Sequence, residues 1–174
     1  MRIGFSILIG VTVALASTWI IVTFIDLPPE LISESFYSLI RGLPYIEVQF
    51  LFILGGDPIH SSNPINHGLL LNFNVFPYFN TAIWLAAGIV AGIFTQGLLK
   101  GVLAGLNTAI VVAIIGWVVY WAILFGFDFN AIMSSEMIYL LGIYCANGLT
   151  AGLFAAVGGL LGGLIGKNAG WAGK

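Results

Sequence analysis

The chain is poor in charge. Asp, Glu, Lys and Arg make up 7% of its 174 residues, against roughly 25% in a soluble domain. Seven acids and five bases cannot cover the surface of a folded globule in water. Lipid is therefore the solvent expected for most of the molecule. The five basic residues are scattered and the net charge is −2, which excludes the concentrated cationic face that nucleic-acid binding needs. The single cysteine, Cys145, falls inside an apolar run, so no intramolecular disulfide can form.

Chemistry-bearing groups are scarce where they would matter most. No acid, base or histidine interrupts the apolar runs, although proton relays, ion-coupled carriers and voltage sensors depend on such groups. No nucleophile–base pair or metal-ligand spacing is present. The run "GGLLGG" (158–163) is not a phosphate loop, because it follows no strand and lacks the Gly-Lys-Ser/Thr ending. The reading leans against an enzyme and expects no cofactor.

Apolar residues, by contrast, make up 60% of the chain, and the mean hydropathy is +1.07. A bilayer core of about 30 Å needs about 20 largely apolar residues in a helix. Four runs qualify: 3–25, 82–99, 102–125 and 137–166. The second and third are separated only by Lys100 and Gly101, which predicts a tight turn there. The fourth is longer than a bilayer requires and should tilt or project. In the first, Ala14-Leu15-Ala16 resembles a signal-peptide cleavage site. The apolar stretch is too long for such a signal, so the segment is expected to be retained.

The expected fold is an all-α integral membrane protein with four transmembrane helices. With both termini cytoplasmic, Arg2, Lys100, Lys167 and Lys174 lie inside and only Arg41 outside, as the distribution of basic residues around membrane spans demands. Residues 26–81 then form an outer insertion. Apolar positions at helical spacing over 30–41 predict a short amphipathic helix. Alternation at Ile46, Val48, Phe50 and Phe52, and again at Leu71, Phe73 and Val75, predicts a β-hairpin. Asp57, His60 and His67 in the linking segment are weak metal candidates, because a metal site needs three or four convergent ligands.

Residues 86–94 ("AAGIVAGIF") match 146–154 ("ANGLTAGLF") at an offset of sixty, and Trp19 and Trp121 each precede an aspartate by seven residues. These similarities suggest a two-helix unit occurring twice in parallel. The polar groups expected at membrane depth are Asn147, near the midplane, and Gln96 and Asn107, beside the turn between the second and third runs.

Glycine is the residue the sequence spends most freely, with 23 in all and seven between 148 and 166. At 100° per residue, Gly148, Gly152, Gly159 and Gly163 fall on one face, opposite Leu149, Leu153, Leu160 and Leu164. Small residues let membrane helices approach closely, so this face should pack on another helix. The second run carries a matching stripe at Gly88 and Gly92, and an equivalent helix of another protomer is the alternative. The expected partners are the bilayer and either further copies of the chain or other membrane subunits. Three functions remain open: a structural or accessory subunit of a membrane assembly, a small oligomeric channel or transporter, and a membrane enzyme acting on lipid or quinone.

Overall fold

A computed structural model describes residues 3–24, 75–95 and 97–169. Every regular element among them is helical: α1 (Ile3–Phe24), α2 (Val75–Ile93), α3 (Leu98–Phe125), a short 3-10 helix (Phe129–Met133) and α4 (Ser135–Asn168). Among the described residues, three helices are long and apolar enough to cross a membrane, through Ile3–Ile20, Leu98–Val119 and Gly148–Asn168. Helix α2 has a shorter apolar stretch, Thr81–Ile93. The expected surface helix, the Asp57/His60/His67 cluster, Gln96 and nearly all of the expected β-hairpin lie outside the described residues.

The helix ends follow local chemistry. Pro77 is the third residue of α2, where its missing N–H belongs to a group that no helix bond would use. Val75, expected in a strand, is instead the first residue of this helix. The turn between α2 and α3 is not at Lys100-Gly101 but earlier, with Phe94 and Thr95 in it and Gly97 at a bend. There the N–H and the hydroxyl of Thr95 both donate to the Gly92 carbonyl, at 2.9 and 2.8 Å. The Gly101 N–H donates to the Gly97 carbonyl at 2.8 Å, so Lys100 and Gly101 already belong to α3. A charge and a glycine interrupt the hydropathy of the sequence, yet neither ends a helix whose first turn they occupy.

At its far end α3 stops at Gly126, whose φ of +55° is costless only without a Cβ. Helix α4 starts at Ser134, whose hydroxyl accepts the Met137 N–H at 3.3 Å, an N-cap. It ends with Lys167 in its last turn, where a cation complements the helix dipole. At 34 residues, α4 is about 51 Å long.

Close approaches fix the helix directions. Gly97, the N-cap of α3, and Gly101 and Gly105 within it meet Gly163, Gly159 and Ala155 of α4 in that order, so the two helices are antiparallel. Leu85, Ile89 and Ile93 of α2 meet Gly158, Gly162 and Gly166 in ascending order, so α2 and α4 are parallel. Helix α1 packs on α2 and α3 through Ser6, Gly10, Ala14 and Thr18, all buried and spaced by four. The buried core is built largely of small side chains, Ala14, Ala87, Ala109, Ala151 and Ala155, around Trp84, Ile83, Val11 and Val112.

Candidate functional site

Among the described residues, the C-terminal half of α4 forms a closely packed seam. Gly148, Gly152, Ala155, Gly159, Gly162, Gly163 and Gly166 are all buried, whereas Leu149, Leu153, Val157, Leu160, Leu161, Leu164 and Ile165 are exposed. The i, i+4 and i, i+7 spacing of the small residues produces this division directly.

Two carbonyls organise the seam. A Cβ placed on Gly88 of α2 or on Gly105 of α3 would collide with the Ala155 carbonyl oxygen. One turn on, a Cβ on Gly92 of α2 or Gly101 of α3 would collide with the Gly159 carbonyl oxygen. Each carbonyl of α4 is thus approached by a glycine from either side, in two successive layers. The contacts are reciprocal, since a Cβ on Gly159 would strike the Gly101 carbonyl and one on Gly163 would lie 2.7 Å from that of Gly97. At such separations the main chains gain dispersion contacts that any side chain would prevent.

The seam changes character above this region. A Cβ on Gly152 would lie 2.8 Å from Leu106 Cδ1, and one on Gly148 3.0 Å from the Ala113 Cβ. Both neighbours are side-chain atoms, and the Leu106 methyl is the far end of a flexible chain. Gly88 and Gly92 therefore sit backbone to backbone, while Gly148 and Gly152, their counterparts at the offset of sixty, meet side chains of α3. The second glycine partner of α4 is α3, through Gly101, which was expected in the turn, and Gly105, which was not expected to pack. The signal was present: "GIVAG" (88–92) and "GVLAG" (101–105) share the Gly-x-x-Ala-Gly pattern, and Ala91 and Ala104 are both buried.

The polar candidates are dispersed. Asn107 lies in the third turn of α3, away from the turn it was expected to brace, and its Nδ2 donates to the Leu103 carbonyl of its own helix at 2.7 Å. Asn147 is a residue of α4. The hydroxyls of Thr18 and Thr108 are buried and donate to Ala14 and Ala104 carbonyls at 2.8 Å, which satisfies them within their own helices. Ser6 Oγ and the indole nitrogens of Trp84 and Trp117 are buried without a hydrogen-bond partner. Lys100, Asp128, Cys145 and Lys167 are exposed, and no group of three metal-ligating side chains occurs among the described residues.

The chain matches no protein-family model, and no curated protein or solved structure is significantly similar to it.

Proposed function

We propose that the protein is a structural or accessory subunit of a membrane assembly. The observation that supports this reading best is the two-layer seam at Ala155 and Gly159, where three helix backbones are drawn together with no room for a side chain. Such packing suits a rigid scaffold. Among the described residues it encloses no ionisable side chain, the group on which ion-coupled transport and acid–base catalysis rely. The proposal places both termini in the cytoplasm and four helices across the membrane, α2 being extended by the apolar residues before Thr81.

The test is native mass spectrometry of complexes released gently from membranes. The expected result is a stoichiometric assembly heavier than the 18.6 kDa chain, either with further copies or with another membrane subunit. A solitary monomer would overturn the proposal, and saturable solute flux in vesicles reconstituted with the purified chain would favour a transporter instead.

A further inference from the structure

At the end of α3 remote from Lys100, the connection to α4 is an ordered aromatic knob. The indole Nε1–H of Trp121 donates to the Asp128 carbonyl at 3.0 Å. Its ring meets those of Phe127 and Phe129 edge-on, with centroids 5.2 Å away in each case. The Asp128 carboxylate accepts the Asn130 N–H at 2.9 Å. Phe127 has a φ of +64°, a conformation that a bulky L-residue adopts only when its surroundings impose it. The product of this ordering is an outward display of apolar groups: Phe127 is 53% exposed, Phe129 75% and Met133 78%.

Length says what they meet. Helix α3 has 28 residues and is about 42 Å long. A bilayer is about 30 Å thick in its hydrocarbon core and about 40–45 Å with both headgroup layers. The apolar run of α3 reaches from Val102 to Phe125, about 36 Å of helix, which exceeds the hydrocarbon core. The residues beyond it fall in the headgroup layer, where aromatic rings concentrate. Ile138 and Leu141, in the first two turns of α4, are exposed apolar residues as well.

We propose that the α3–α4 connection is a preformed anchor that inserts Phe127, Phe129 and Met133 into the boundary between phospholipid headgroups and acyl chains. The strained Phe127 backbone and the Trp121–Asp128 bond hold those side chains outward, so the anchor needs no ordering on contact with lipid. This inference rests on the membrane reading, and its test separates the two.

The full chain carrying Cys145→Ser is reconstituted in phosphatidylcholine vesicles with a spin label at Phe129→Cys, at Ile114→Cys on the exposed face of α3, or at Asn130→Cys. Collision rates with oxygen and with a water-soluble nickel chelate report depth. The Phe129 label should collide more with oxygen than with the chelate, at about 5–10 Å below the headgroup surface, and the Asn130 label should show the reverse. A lipid-exposed Ile114 label beside a Phe129 label fully open to the chelate would overturn the anchor alone. A Phe129 label shielded from both reagents would also overturn it, by showing a protein partner there. Chelate access at Ile114, or failure to enter vesicles, would overturn both readings.

Discussion

Gly105 of α3 lies so close to the carbonyl of Ala155 on α4 that no side chain fits between the two helices. Gly88 of α2 occupies the other side of the same carbonyl. The bundle is thereby held where main chains touch main chains, and the leverage of each glycine depends on what stands opposite it.

Gly105→Ala should therefore lower stability by about 1–3 kcal/mol, the usual cost of forcing atoms into a filled interior. Gly142→Ala should be neutral or stabilising, because none of the described residues stands within 4 Å of its added methyl and alanine is the better helix former by about 1 kcal/mol in water. Thermal melts of both variants in the same detergent check the contrast. Equal melting temperatures would contradict it.

The same logic grades the stripe on α4. Gly159→Leu should abolish folding, since Gly101 opposes it with backbone atoms. Gly152→Ala should be mild, because the obstacle is the flexible end of Leu106. Leu153→Ile, on the exposed face, should be close to neutral. Detergent-extractable yield and size-exclusion profiles would show this order, and a Gly152→Ala variant as damaged as Gly159→Leu would contradict it.

Helix α1 docks through a different contact. A Cβ on Gly10 would lie 2.5 Å from Thr108 Oγ1 and 3.0 Å from the Ala91 Cβ. Gly10→Ala should destabilise, and Thr108→Ala should recover part of the loss by removing the closest atom. A double-mutant cycle should show a coupling of about 0.5–3 kcal/mol, the range for residues in contact. Additive effects would mean that α1 does not sit on Thr108.

Trp121→Phe removes the bond to the Asp128 carbonyl while keeping a ring against Phe127 and Phe129. The expected cost is about 1 kcal/mol, that of one hydrogen bond. It should appear as faster amide exchange across residues 126–134, measured by hydrogen–deuterium exchange mass spectrometry. Unchanged exchange would show that the bond does not order the connection.

The glycine face of α4 was legible because helix geometry alone assigns Gly148, Gly152, Gly159 and Gly163 to one side. What that face would meet was not, since a stripe of small residues does not name its partner. Gly101 was misread for a definite reason: beside Lys100 it looks like a break, whereas the turn contains Phe94 and Thr95 and barely disturbs the hydropathy. Val75 was misread because Phe73 and Val75 alternate with asparagines, a pattern that a helix beginning at Val75 also permits. Asn107 was placed beside the turn only because the turn was placed about five residues too late.

The register of α3 against α4 underlies every contact between those two helices in the seam, and a disulfide reads it directly. In a Cys145→Ser chain kept in its native membrane, Ala113→Cys and Gly148→Cys should cross-link within one molecule on mild oxidation. The two Cβ positions lie 3.0 Å apart, and a small shift brings them to the roughly 3.5–4.5 Å that a disulfide needs. Ala113→Cys paired with Gly142→Cys should stay reduced, because Ala113 does not stand within 4 Å of a Cβ placed on Gly142. Efficient cross-linking of the second pair and none of the first would contradict the register, and with it the glycine seam.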